Sequence, residues 1–415
     1  MTSSSQSVLP VVLGGDAGVY GIGRCFHEAL GGRSLCLSSA PVRIIERSAI
    51  FDVHRIADRA TDDQLLAELL GIAAAHPDRR LVLMANHDLH SVFVARNRQA
   101  LEAHYALPFP SMEVIETLTD KAGFARACKE QGIATPATVV VDMRGADQAD
   151  WTAPEVPFDF PVVAKASRGD AYDQVEFEGK RKIWFIESRD ELDRLWKDLR
   201  QAGFRDSFLV QELIPGDNTA MRSLTAYVDS AGEVTLIGSA RVLLEDHAPT
   251  MIGNPVAMIT EAFPALWDDA RRLLTSSGYR GFANFDVKVD PRDGRAVFFE
   301  VNPRIGRNNW YMSAAGHNPV VPMMADLVDG RRIAPQEVRE EVLYSMVPDS
   351  LLLHYLREPG LAQRVRSLVS TGRRFDPLMY REDKDPLREL TVRLQRLNHV
   401  RKFRRYYPEP TDRSY

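Results

Sequence analysis

Cysteine is scarce: Cys25, Cys36 and Cys128 are the only three in 415 residues. They are scattered, odd in number and form no CxxC pair. That pattern argues against a disulfide framework or a structural zinc site and fits a reducing cytoplasm. A basic excess is also missing. The formal net charge is −5, so the chain as a whole has no nucleic-acid-binding signature. No apolar run reaches the roughly 20 residues of a transmembrane segment. Residues 1–10 are Ser-rich and lack a basic stretch followed by an apolar one, so they do not read as a signal peptide. The chain holds no internal repeat, no low-complexity tract and no recognisable Ser/His/Asp or Cys/His arrangement.

What remains is an ordinary globular composition, 45% hydrophobic and 26% charged, with enough apolar residues for a large core. The length implies about two or three domains. Val8 to Leu13 is a short apolar run ending at Gly14-Gly15-Asp16. A helical pattern follows through Val19, Ile22, Phe26 and Leu30, and Gly31-Gly32 closes it. Ser34 to Leu37 reads as a strand, Leu65 to Ala75 as a helix and Leu81 to Met84 as a strand. Such alternation predicts a parallel sheet covered on both faces, in an α/β domain over residues 1–117.

Thr119-Asp120 can cap a helix that runs to Glu130 and stops at Gly132. Strands are expected at Thr138 to Val141, Val162 to Lys165, Lys182 to Ile186, Phe208 to Glu212, Ser223 to Val228, Val234 to Val242, Phe282 to Val289 and Ala296 to Val301. Helices fall near Asp190 to Leu199 and Ala262 to Ser276, and residues 142–160 read as a surface connection. This second region, 118–330, is α+β with antiparallel pairing. The last region, 331–415, holds amphipathic helical segments and carries 18 Lys and Arg against 12 Asp and Glu, a local net of +6.

The densest chemistry lies between Asn284 and Arg304. In a paired hairpin Asp286 falls near Glu300, and Glu300 and Asn302 share a face. Two carboxylates and an amide oxygen make a hard-oxygen set of the kind magnesium takes, and a cation would relieve the mutual repulsion of the acids. Arg304 stands beside them, where a guanidinium can clamp a phosphoryl group. A solvated hairpin with incidental acids gives the same pattern. Lys165 closes the apolar run from Phe160, a costly place for an ammonium unless it meets an anion. Lys121 starts a helix and, alone, reads as a lysine reaching solvent. In Phe208 to Asp217 an apolar strand runs into a short hinge, whose backbone can meet an adenine edge while Asp217 or Asn218 meets ribose.

Taken in order, these pieces resemble the ATP-grasp superfamily of ligases. The matching string is Thr119-Asp120-Lys121, Gly132 to Pro136, Pro161 to Lys165, Gln211 to Gly216, Gly281 to Asp286 and Glu300 to Arg304, within residues 1–330. The resemblance implies an N-terminal parallel α/β domain, then two α+β subdomains clasping ATP, then a helical C-terminal extension. It implies that Lys121 and Lys165 contact phosphates and that Gln211, Glu212, Leu213 and Ile214 bind adenine. Asp286, Glu300 and Asn302 would hold magnesium, with manganese as an alternative. Arg304, Lys165 and Arg241 would stabilise the transferred phosphoryl group, and Arg222 is a weaker candidate for phosphate or substrate. The implied reaction is carboxylate activation as an acyl phosphate, followed by attack of an amine. The phosphate-covering loop departs from many relatives, with only two glycines in residues 167–181.

Within the superfamily, the opening Gly14 to Arg24 and the long C-terminal region look like bacterial D-aspartate ligases. That likeness places Asp16, Tyr20 and Arg24 toward the second substrate and implies a peptidoglycan precursor peptide as amine acceptor. A peptide ligase, a carboxylase and a non-catalytic ATP-binding protein are the alternatives. A Rossmann dinucleotide site is disfavoured, because Gly18-x-x-Gly21-x-Gly23 is not GxGxxG. Asn86-His87-Asp88-Leu89-His90 follows a strand and either touches substrate or caps the next helix. Arg396 to Tyr407 either meets an anionic lipid or wall precursor, as a peripheral membrane contact, or packs on the main body.

Overall fold

The computed structural model describes residues 8–167, 169–248 and 251–411. Most of the Ser-rich start and Arg168 of the 167–181 loop lie outside them. Among the described residues the strands form three sheets.

The first is a five-stranded parallel sheet of β1 (Val8–Leu13), β2 (Ser34–Ser38), β3 (Phe51–Arg55), β4 (Arg80–Ala85) and β5 (Tyr105–Ala106), in the order β3-β2-β1-β4-β5. β1 is buried along its whole length, which is why it reads as a continuous apolar run. Its Pro10 precedes the point where β2 joins at Val11↔Leu35, so the missing N–H costs that pairing no donor. Asp16 caps the helix Ala17–Leu30 by accepting from Gly18 and Val19, and Gly31 ends it at φ 71°. A Cβ on Gly23 would lie 2.0 Å from the Phe51 ring, so the helix can approach the sheet only with glycine there.

The second sheet comprises β6 (Thr138–Asp142), β7 (Val162–Ala166), β8 (Trp184–Ile186) and β9 (Ser207–Glu212), antiparallel in the order β6-β9-β7-β8. The helix Arg189–Gln201 covers one face with Leu192, Leu195, Trp196 and Leu199. The third sheet is built around β10 (Met221–Val228), β11 (Val234–Glu245), β12 (Pro255–Thr260), β13 (Gly281–Val289) and β14 (Ala296–Asn302). One of its faces packs under the helix Pro264–Ser276, the other against the N-terminal domain.

The expected strands and helices are present, with shifted ends. β8 starts at Trp184 rather than Lys182, after the charged Lys180-Arg181-Lys182. The later helix starts at Pro264, whose ring suits a first helical position. β3, β5 and β12 have no counterpart among the strands expected from sequence. Beyond 330, the helices Asp349–Tyr355, Pro359–Ser370 and Pro386–Tyr406 accompany β15 (Gln336–Val338), β16 (Leu343–Ser345) and β17 (Arg374–Phe375). These three short strands join the third sheet, β15 against β11 and β16 against β12, so a boundary at 330 cuts through one shared sheet. The Arg396 to Tyr407 stretch packs on the main body. Phe403 and Tyr407 are buried, His247 stacks on Tyr407 with ring centroids 3.7 Å apart, and Lys402 pairs with Asp246 at 2.9 Å.

Candidate active site

β13 and β14 run antiparallel with Asp286 opposite Glu300 and Asn284 opposite Asn302. Residues directly opposite share a face, so the two acids and both amides point the same way. The ladder then shifts by one, pairing Val287 with Phe298, and this bulge ends the polar run. Burial, with Glu300 nearby, pushes the Asp286 carboxyl up to about 7, against the pull of Arg304 and Asn302. Burial also opposes ionisation of Glu300, yet Lys121, Lys165 and Arg304 together hold its pKa below the usual value.

The metal fit can be judged from the donors. Asn302 donates its Nδ2 to Asp286 at 3.2 Å and to the Asn284 carbonyl at 3.3 Å, which leaves its amide oxygen available. Two carboxylates and this oxygen on one face suit a hard cation. Among the described residues no group of three His, Cys, Asp or Glu is placed to hold a metal ion.

Lys121 reaches this face from the helix Lys121–Glu130, whose cap Asp120 accepts from Gly123 at 2.7 Å. Its Nζ lies 2.6 Å from Glu300. Lys165 approaches on β7 of the second sheet. Burial lowers its ammonium to about 8, with Lys121 and Lys182 adding to the effect and Glu300 opposing it. Thus two lysines and two carboxylates meet between the second and third sheets. Arg304 is held by Asp88 at 3.1 Å from the N-terminal domain. His87 caps the helix Asp88–Arg96, so the Asn86 to His90 patch both caps a helix and anchors Arg304.

The hinge residues Glu212, Leu213 and Ile214 line a cavity of about 490 Å3 together with Pro215, Gly216 and Lys288. Gln211 instead donates to the Thr138 hydroxyl at 2.9 Å. Asp217 is spent on its own turn, accepting from the Thr219 amide and hydroxyl. Asn218 is buried against Glu245, 3.2 Å away. The ribose roles expected for Asp217 and Asn218 therefore meet side chains already engaged. Glu245, which burial raises to about 7 against the pull of Lys288, was not picked out from sequence.

Four other expected residues lie elsewhere. Arg222 is directly opposite Arg241 on one side and Val287 on the other. Val287 packs under the helix Pro264–Ser276, so both arginines lie on the sheet face away from Asp286 and Glu300. There Arg222 stacks on Phe263 and Arg241 pairs with Glu358 at 2.9 Å. The catalytic position expected for Arg241 is corrected by this register, and so is the substrate role of Arg222. Tyr20 and Arg24 are also corrected. Tyr20 is fully buried and donates to Asp383 at 2.9 Å. Arg24 donates to the Pro377 and Met379 carbonyls and stacks 3.6 Å from the Trp310 ring centre. Both dock residues 376–383 onto the first helix. Asp16 alone of that trio lines an open cavity.

No protein-family model matches this chain. It is 28% identical to the D-aspartate ligase of Enterococcus faecium over 411 residues, covering 97% of each chain. Among solved structures, the L-amino acid ligase from Bacillus licheniformis superposes with TM-score 0.54 at 16% identity, over 80% of this chain and 77% of that one. The biotin carboxylase domain of Hydrogenobacter thermophilus 2-oxoglutarate carboxylase, solved with ADP, MgADP and bicarbonate, gives TM-score 0.56 at 16% identity, over 80% and 73%. With its parallel N-terminal domain and its two antiparallel sheets meeting at a cleft of lysines and carboxylates, the chain shares the fold of these two solved structures.

Proposed function

We propose that this protein is an ATP-dependent, ADP-forming ligase that joins a small carboxylate to an amine through an acyl phosphate. The observation that carries the reading is the convergence of Asp286, Glu300 and Asn302 on one face, with Lys121 and Arg304 at their side and Lys165 nearby on the facing sheet.

A carboxylate oxygen attacks the γ-phosphorus of ATP and ADP leaves. The amine then attacks the acyl carbon, inorganic phosphate leaves with that oxygen, and the amide nitrogen loses a proton. Lys165 and Arg304 stabilise charge on the phosphoryl oxygens, and Lys121 contacts the phosphates after release from Glu300. Asp286, Glu300 and Asn302 would hold magnesium, or manganese in its place. When bound, the cation neutralises phosphate charge. The adenine is read by the backbone of the hinge around Glu212 to Ile214. Positioning and charge stabilisation account for the rate, with no covalent enzyme intermediate.

Likeness to the Enterococcus enzyme across nearly the whole chain supports D-aspartate as the carboxylate donor. Its acceptor in this reading is an amine of a peptidoglycan precursor peptide. Among the described residues no helix is long and apolar enough to cross a membrane. The test is isotopic. D-aspartate labelled with oxygen-18 in its carboxylates should transfer one labelled oxygen to inorganic phosphate for each amide formed. Amide formation with unlabelled phosphate would rule out the acyl phosphate.

A further inference from the structure

A cavity of about 290 Å3 lies where the β1 turn, the loop after β14, the β11–β12 connection and the C-terminal segment meet. Its charged lining comprises Asp16, Asp246 and Asp376 against Arg307, Arg396 and Lys402, so the two signs balance. Aliphatic side chains line much of the remainder. The size lies at the low end for ligand pockets, of the order of 300 Å3.

Several of these groups are incompletely partnered. Arg307 pairs with Asp16 at 3.2 Å through Nε, while its Nη1 finds the Met251 sulfur at 3.7 Å, a weak acceptor. Arg396 reaches Asp349 at 3.3 Å with Nη2, yet its buried Nε has no hydrogen-bond partner. The buried Nδ1 of His399, on the same helix, has no hydrogen bond either. Asp376 accepts from the Leu378 N–H at 3.0 Å through Oδ1, while its Oδ2 has a long ion pair with Arg374, at 3.9 Å. A buried donor such as Arg396 Nε normally finds an acceptor, and a small anion entering the cavity would supply one.

The cavity is also tied to the phosphoryl end of the cleft. Arg307 is three residues beyond Arg304. Asn86 donates to Asp16, the partner of Arg307, while Asp88 holds Arg304. A Cβ on Gly18 would fall 2.8 Å from the Arg307 side chain, so glycine at 18 lets that loop seat against the first helix.

We propose that this cavity binds the amino-acid substrate, with Arg307 on the loop wall and Arg396 on the C-terminal wall facing its carboxylates and Asp376 facing its ammonium. The C-terminal segment is then part of the substrate site. A lining with both signs in balance favours a ligand that itself carries both. The identity of the ligand rests on the ligase reading; the position of the site does not.

The test is equilibrium dialysis of radiolabelled D-aspartate against the full chain, alongside phosphate release. Wild type is compared with Arg396→Gln, with Gln395→Trp, which narrows the cavity without removing a charge, and with Arg393→Gln on the exposed side of the same helix. The expected result is binding by wild type and Arg393→Gln, weakened about tenfold or more in the two cavity variants, with the KM for ATP unchanged. Equal binding by wild type and both cavity variants overturns the site and leaves the ligase reading standing. So does phosphate release that depends on some carboxylate other than an amino acid. If no donor supports phosphate release, the ligase reading fails, and dialysis alone decides the site: binding lost in the cavity variants supports it, and no binding by wild type overturns it.

Discussion

Asp286 stands directly opposite Glu300 across the β13–β14 pair, and Lys121 closes on Glu300 at 2.6 Å. Two acids placed this way repel each other unless a cation lies between them or a proton is taken up. Asp286→Asn and Glu300→Gln should each lower turnover by at least about a hundredfold, through lost charge stabilisation. Asp286→Asn should leave the thermal midpoint unchanged or raised, because it relieves repulsion in the ligand-free protein. Comparable turnover in either variant, measured as phosphate release, would remove the metal assignment.

The sheet register separates two arginines that sequence alone placed together. Arg304→Met should cost about a hundredfold or more in kcat. Arg241→Met, on the far face, should change kcat by less than about threefold while weakening the packing around Glu358. Equal kcat losses in the two variants would contradict this arrangement.

Tyr20 is a structural residue in this fold. Its hydroxyl donates to Asp383, which also accepts from Ser48 at 2.6 Å and pairs with the buried Arg388 at 2.8 Å. Tyr20→Phe should lower unfolding free energy by about 1.5 kcal/mol in urea, the low end for one hydrogen bond to a charged group, because Asp383 keeps Ser48, the Ala49 N–H and Arg388 as partners. The KM for any amino-acid substrate should be unchanged. A raised KM without loss of stability would return Tyr20 to the substrate site.

Two histidines should each lose a stabilising contribution in acid, while the raised carboxyls of Asp286 and Glu245 act with the opposite sign over the same window. Burial lowers His90 to about 4, helped by His87, and burial likewise lowers His247 to about 4. In the unfolded chain both titrate near the ordinary 6.5. Each therefore binds its proton more readily when unfolded, so its stabilising contribution is complete above pH 6.5 and is lost progressively as pH falls toward 4. When urea midpoints are followed across that window, His247→Phe, which keeps a ring against Tyr407, should shift the slope toward greater stability in acid relative to wild type. An unchanged slope in His247→Phe would exclude His247 as a contributor.

The hinge cavity should be sensitive to volume. Leu213→Trp fills part of the space of about 490 Å3 beside Glu212 and Ile214. It should raise the KM for ATP with little change in the KM for the amino acid. The opposite pattern would move the adenine elsewhere.

What was legible in the sequence was local. Period-two strands such as β13 and β14, the Asp120 cap and the carboxylate pair all follow from spacing within a dozen or so residues. What was not legible depends on contacts across long separations. Arg222 and Arg241 fall on the far face because β10 and β11 pair in one particular register, which sequence leaves open. Tyr20 and Arg24 are taken up by residues more than 350 positions away, and Asp88 finds Arg304 across 216. β15, β16 and β17 are two or three residues long and carry too little periodicity to be seen alone. Glu245 reaches Asn218 and Lys288 after irregularities in the β11–β12 ladder, where simple alternation fails.

The most direct test of the ligase account is phosphate release from ATP by the purified protein with magnesium, a panel of carboxylates including D-aspartate, and an amine acceptor. The account predicts release that requires one amino-acid donor, rises with the acceptor and disappears in Glu300→Gln. Release that is indifferent to every donor, or that survives intact in Glu300→Gln, would contradict it.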